Sequence, residues 1–347
     1  MIDKDTFELN HINSIRLKLK RDPILIEKMV YAFGLLEILS LSGLKFIFKG
    51  GTSLILLLKQ PKRFSTDIDI LVTEENELDL VLNRLTSFKP FIEFEEHIRK
   101  QNATQLKKRH FKFFYTSPVL KRKASILLDV VIQKNTYSSL VHLAINNEFI
   151  IVDKEPSRVV VPKVECILGD KLTAFAPKTT GILFGKSKSL EIIKQFYDIG
   201  VLYESSEDYD LIIRTYESVV KEEMNYRSLT CEIKDVLKDS FLAALTICSR
   251  GKLGYINEYK EFEMGVGLIE GHIFNEKFTM EKAVYHACEI LYIYARMLND
   301  KSIDKIIDVE SYEELLILNS QYNVLNRIKK ISLNKFAYVY EAIKSFE

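Results

Sequence analysis

The chain has 347 residues, 47% of them hydrophobic and 28% charged, with a formal net charge of +1. That length exceeds the roughly 250–300 residues at which single cores stop growing, so two domains are expected, and the balance is that of an ordinary globular protein. No apolar run is long enough to span a bilayer, and the polar start Met1-Ile2-Asp3-Lys4-Asp5 lacks the apolar core of a signal peptide, so a cytoplasmic protein without membrane partners is expected.

Residues 5–42 read as helices, with Ile24, Ile26, Met29, Val30, Phe33, Leu35, Leu36 and Ile38 crowding an apolar stripe. Lys45-Phe46-Ile47-Phe48 is a short apolar run closed by Gly50-Gly51, the pattern of a strand, and a helix is expected over residues 52–59, ended by Pro61. Residues 67–72 alternate carboxylate and aliphatic side chains, the period of a strand with one polar and one buried face. A helix near 77–85 follows, and then two strand-like runs, 110–115 and 125–133, that straddle Pro118 as a neighbouring pair. After Pro162 the pattern turns to long helices at 163–176, 190–203, 229–250 with Gly251 as C-cap, and 281–298. The last is apolar on most sides, as expected at the centre of a bundle. Pro, Thr, Gly, Lys and Ser accumulate over 177–187, which marks the expected domain boundary. Cys166, Cys231, Cys248 and Cys288 are far apart in sequence, without the paired spacing of zinc sites, and are expected to be buried free thiols.

The residues with chemistry to offer begin at the glycine pair. A strand that ends in Gly50-Gly51 and turns into a helix lets backbone N–H groups approach a phosphate, and Thr52 and Ser53 add hydroxyl donors. The same turn also occurs in proteins that bind nothing there, and the spacing is not that of a P-loop. Asp67 and Asp69 share one face of a strand, about 6–7 Å apart along it. Two such charges brought to 4 Å repel by about 4 kcal/mol at an effective dielectric of 20, so convergence calls for a cation, and Mg²⁺ suits carboxylate oxygens. The competing explanation is the exposed polar face of an edge strand. Asp129 interrupts the apolar surface of Leu127 and Val131, which fits either a metal ligand or a buried ion pair. Lys171 emerges from a stripe of Ile167, Leu168, Ala174 and Phe175, so its ammonium either snorkels to the surface or reaches a buried anion such as a triphosphate. Lys194 and Asp198 lie one helical turn apart, the spacing of a surface ion pair.

In combination these segments resemble the AbiEii/AbiGii toxin family, nucleotidyltransferases of the polymerase-β-like superfamily. Gly50-Gly51-Thr52-Ser53-Leu54 and Arg63-Phe64-Ser65-Thr66-Asp67-Ile68-Asp69-Ile70 match its Gly-Gly and Asp-x-Asp motifs. Leu128-Asp129-Val130 is similar to its second motif, Lys171-Leu172-Thr173-Ala174 to Lys-Leu-x-Ala, and Lys194-Gln195-Phe196-Tyr197-Asp198-Ile199 to Lys-Asp-x-Tyr-Asp-Leu, with Gln195 where the family often carries Asp. The resemblance implies an α+β protein: a nucleotidyltransferase domain with a mixed sheet over residues 1–180, then an α-helical bundle domain over 181–347.

It also implies transfer of a nucleoside monophosphate from an NTP to an acceptor, with release of pyrophosphate. The expected nucleotide-binding residues are Gly50, Gly51, Thr52, Ser53, Arg63, Ser65 and Lys171. Asp67, Asp69 and Asp129 are the expected Mg²⁺ ligands, Lys171 neutralises phosphate charge, and Asp198 orients Lys171 or the base. For some relatives the acceptor is the 3′ end of tRNA, and the cognate antitoxin is a winged-helix DNA-binding protein. The sequence offers an RNA footprint between Glu96 and Asp129, where Arg99, Lys100, Lys107, Lys108, Arg109, Lys112, Lys121, Arg122 and Lys123 occur without an acid, interleaved with Phe111, Phe113, Phe114 and Tyr115. A solvated, lysine-edged hairpin has the same composition. Rival expectations are a catalytically inert binding module of the same fold, or an enzyme of that fold acting on a small molecule.

Overall fold

The computed structural model describes residues 1–97, 107–274 and 276–346; Arg99 and Lys100 of the expected basic strip lie outside the described residues. The chain divides into two compact units, Met1–Lys163 with Gly271–Glu276, and Val164–Glu270 with Lys277–Glu347.

The first unit opens with helices α1 (Leu9–Leu19) and α2 (Pro23–Leu41). Asp22 caps α2 by accepting from the Ile24 N–H, and Pro23 occupies the first turn, where its missing donor costs nothing. Then follow β1 (Ile47–Lys49), α3 (Gly50–Leu57), β2 (Ile68–Val72), α4 (Glu75–Leu85), β3 (Phe91–Glu96), β4 (Lys107–Thr116), β5 (Lys123–Ile132), β6 (Leu140–Ala144) and β7 (Arg158–Pro162). They form one seven-stranded mixed sheet in the order β3-β4-β5-β2-β1-β7-β6. β4 and β5 pair antiparallel, β2 runs parallel to β5 and antiparallel to β1, and β1 runs parallel to β7.

Alternation along the strands decides what each sheet face carries. Phe111, Phe113 and Tyr115 of β4, with Ile126, Leu128 and Val130 of β5, are buried. Tyr115 stacks on Tyr31 of α2, ring centroids 3.7 Å apart. Buried Glu27 accepts from the Tyr115 and Ser117 hydroxyls and the Val119 N–H at 2.8–3.0 Å, which compensates a carboxylate that would otherwise be expensive to bury. The opposite face carries the half-exposed Asp69 and Asp129.

The second unit is helical: α5 (Val164–Ala174), α6 (Ser189–Glu204), α7 (Tyr209–Tyr226), α8 (Ile233–Cys248), α9 (Tyr259–Ile269), α10 (Met280–Leu298) and α11 (Leu333–Lys344). As its pattern foretells, α10 lies at the centre, packed against α6, α8 and α11. Among the described residues no helix is long and apolar enough to cross a membrane.

Two sequence expectations change. The compact units part at Lys163/Val164, earlier than the 180/181 boundary, because α5 packs against α6 and α7. The polar stretch 177–187 lies inside the second unit and does not mark the boundary: Asp239 of α8 accepts from the Lys178 N–H (2.8 Å), the Thr179 hydroxyl (2.7 Å) and the Tyr255 hydroxyl (2.9 Å), although burial pushes its carboxyl above the ordinary range. Cys248 and Cys288, forty residues apart, bring their sulfurs to 3.8 Å between α8 and α10, and Cys231 is only half-buried.

Candidate active site

The Gly50-Gly51 turn is built for close approach. Gly50 sits at φ +75°, and a Cβ placed there would lie 2.1 Å from Oδ2 and 2.8 Å from Cβ of Asp69. A Cβ on Gly51 would lie 2.7 Å from the Arg63 guanidinium and 2.9 Å from the Ser65 hydroxyl. Only glycine lets the Asp69 carboxylate, Arg63 and Ser65 crowd the first turn of α3. That turn has no side-chain cap, and its first N–H groups lack intrahelical acceptors. Thr52 and Ser53 differ from expectation: both are fully buried, and their hydroxyls point inward. Thr52 Oγ1 donates to the Asp67 carbonyl at 2.5 Å and Ser53 Oγ to the Gly50 carbonyl at 2.8 Å, so these side chains set the shape of the turn and tie it to the start of β2.

The strand registers place the carboxylates. Asp69 of β2 is the direct partner of Asp129 of β5 on parallel strands, Lys49 of β1 faces Asp69 from the other side, and His110 of β4 faces Asp129. A single row thus crosses the sheet as His110, Asp129, Asp69, Lys49, neighbouring strands being about 4.8 Å apart. Asp67 precedes β2 and is exposed. The Asp129 carboxylate is held from β4: its Oδ1 accepts from His110 Nδ1 at 2.6 Å. Among the described residues no three His, Cys, Asp or Glu side chains stand grouped to hold a metal ion. The sheet brings the backbone of Asp69 beside that of Asp129, while the side chains do not close on one point.

Lys171 and Asp198 belong to the second unit and form a buried ion pair, Nζ to Oδ2 3.1 Å, with side chains 11% and 2% exposed. Lys171 also donates to Gln195 Oε1 at 2.8 Å, so an amide oxygen serves as acceptor at the position that departs from the family pattern. Spacing alone suggested Lys194 as the cation beside Asp198; the structure also seats Lys171 there, from α5.

The basic strip is divided by strand alternation. Lys107 and Arg109 lie on the face away from the carboxylates, where Lys107 meets Glu75 at 2.5 Å and Arg109 meets Glu75 (3.3 Å), Asp79 (2.6 Å) and Glu96 (2.8 Å). The Arg109 guanidinium holds the Glu96 carboxyl below its usual range. Phe111, Phe113 and Tyr115 are core residues and offer no ring for stacking. Lys108 and Lys112 flank His110 on the Asp129 face, and Phe114 shares that face with Lys123 Nζ 3.9 Å from its ring centroid. Acids from α4 and β3 thus pair with Lys107 and Arg109 of the expected RNA footprint.

Sequence reasoning missed His110 and Lys49. Each is identified by its partner across the sheet, which requires the register; His110 differs from its neighbours only as a histidine within a run of lysines and arginines.

The family model for the nucleotidyl transferase AbiEii toxin of type IV toxin-antitoxin systems matches residues 35–258. The chain belongs to this family. It is therefore a nucleotidyltransferase, and as an AbiEii toxin it has a nucleotide substrate and a cognate antitoxin. No curated protein matches the chain at a significant level. Among solved structures, JHP933 from Helicobacter pylori is 17% identical (TM-score 0.41) over 79% of this chain and 93% of its own. A putative nucleotidyltransferase from H. pylori is 14% identical (0.42) over 79% and 94%. An antigenic nucleotidyltransferase-like protein from Paracoccidioides brasiliensis is 15% identical (0.36) over 58% and 91%. All three TM-scores lie below 0.5, so the assignment rests on the family match.

Proposed function

We propose that this AbiEii toxin transfers a nucleoside monophosphate from an NTP to the 3′ end of a tRNA, with Mg²⁺ as cofactor. The observation that carries this is the pairing of Asp69 with Asp129 on parallel strands beside the Gly50 turn. The donor set fits the ion: Asp67, Asp69 and Asp129 offer hard carboxylate oxygens, and Asp69 and Asp129 occupy one sheet face. When bound, Mg²⁺ would neutralise triphosphate charge and lower the pKa of the attacking hydroxyl.

The chain's own groups supply the rest. The N–H groups at the start of α3 bind phosphate oxygens, with Arg63 over Gly51 adding positive charge. The family motif assigns neutralisation of phosphate charge to Lys171, which Asp198 and Gln195 orient within the second unit. Lys108 and Lys112, on the carboxylate face, favour a polyanionic acceptor over a small cationic one. The antitoxin, by family resemblance, is a winged-helix regulator encoded nearby.

Incubating the purified protein with each α-labelled NTP, Mg²⁺ and total RNA, beside a protein-only control, tests the proposal. Label entering tRNA-sized RNA supports it; label confined to protein, or transfer indifferent to Mg²⁺, contradicts it.

A further inference from the structure

We propose that His110 is a positioning residue for Asp129, holding one carboxylate oxygen so that the other is presented to a divalent ion; this rests on the metal-dependent function proposed above. A carboxylate only accepts hydrogen bonds, so the 2.6 Å contact requires the proton on His110 Nδ1. Among the described residues His110 is the one hydrogen-bond partner of the Asp129 carboxylate, and it engages Oδ1, leaving Oδ2 for a ligand.

The contact is built into the sheet. β4 and β5 pair without interruption from Lys107↔Ile132 to Thr116↔Lys123, which fixes His110 opposite Asp129. Arg109 is clamped by Glu75, Asp79 and Glu96, and Phe111 is fully buried, so the residues on either side of His110 are immobilised on the opposite face. The imidazole side chain is itself only 15% exposed. A ligating carboxylate needs such support, because an unrestrained aspartate divides its time among rotamers, and partners that orient ligands alter metal affinity by about 10–100-fold when removed. Lys108 and Lys112 share the His110 face, but a lysine ammonium on its flexible four-carbon stem is a poorer fixed donor than an imidazole N–H.

The test compares His110→Leu, which keeps volume, His110→Ala, and His110→Asn, whose amide keeps a donor near the position of Nδ1. Mn²⁺ serves as the probe, its binding followed by electron paramagnetic resonance with a non-hydrolysable NTP analogue present, and Asp69→Ala is run in parallel. The expected result is a Kd for Mn²⁺ about 10–100-fold weaker in the Leu and Ala variants, substantially restored by Asn. In the metal-free protein, the His110 ring should show its proton on Nδ1 by nitrogen-15 NMR, and Asp129→Ala should abolish that preference. Wild-type Mn²⁺ affinity in the Leu and Ala variants, with Asp69→Ala defective, overturns the role of His110 and leaves the proposed function standing. An Asp69→Ala protein that binds Mn²⁺ normally overturns the function itself. If the Leu and Ala variants both fail to fold, His110 acts on stability alone and the proposal fails.

Discussion

Replacing Gly50 by alanine tests the glycine turn as the element that seats Asp69. The new Cβ would stand 2.1 Å from Oδ2, 2.6 Å from Cγ and 2.8 Å from Cβ of Asp69. Rotating the aspartate side chain moves the first two atoms but not the third, which is fixed to β2. Carbon atoms pack at about 3.5–4.0 Å, so turn and strand must part by several tenths of an ångström. The left-handed conformation at φ +75° adds about 1–2 kcal/mol for any residue with a Cβ, and a displaced side-chain torsion about 0.5–1.5 kcal/mol. Together these predict a loss of about 2–3 kcal/mol, or roughly 4–12 °C in the melting temperature of a unit this size. Nucleotide incorporation should fall about 100-fold, since a misplacement of about 1 Å in a reacting group has that effect. Thermal melting followed by circular dichroism, with labelled-nucleotide transfer on the same samples, measures both. An alanine variant with wild-type melting and wild-type transfer would refute the reasoning.

Lys171→Ala should destabilise the second unit by about 3–5 kcal/mol, because it removes the ammonium 3.1 Å from the buried Asp198 carboxylate; Lys171→Met/Asp198→Leu should recover most of that stability without recovering transfer. Chemical denaturation separates the two effects. Lys108→Ala/Lys112→Ala should lower the salt dependence of RNA binding by about 1–2 in logarithmic slope, whereas Arg109→Ala should leave the slope unchanged and reduce stability by about 1–2 kcal/mol after screening of its exposed partners. Because Arg109 lowers the Glu96 carboxyl in the folded state, that contribution is present above the ordinary carboxylate range and is lost as pH falls through the folded value. Glu96→Gln should therefore melt below the wild type near pH 6, with the gap closing as the solution is acidified, as a series of melting curves would record.

The fold was legible where pattern and chemistry coincide. The Gly-Gly turn, the alternating Asp67 to Val72 stretch and the apolar α10 announce themselves because each couples a backbone requirement to a side-chain period. β3, with Glu93, Glu95 and Glu96, carries a weaker signal, since its pairing with β4 and not its composition makes it a strand. The basic strip is divided for a related reason. Its charges are contiguous in sequence, but the pleat sends Arg109 and Lys107 to α4 and β3, and Lys108 and Lys112 to the other face. The buried pairing of Lys171 with Asp198 was invisible to spacing, which offered Asp198 the nearer Lys194.

Crystals of the protein grown with Mn²⁺ and a non-hydrolysable NTP analogue would address the carboxylate site most directly, through the anomalous signal of the metal. An anomalous peak within ligand distance of Asp67, Asp69 and Asp129, with phosphate density at the start of α3, is the predicted result. A triphosphate bound elsewhere, or manganese seated away from all three aspartates, would contradict it.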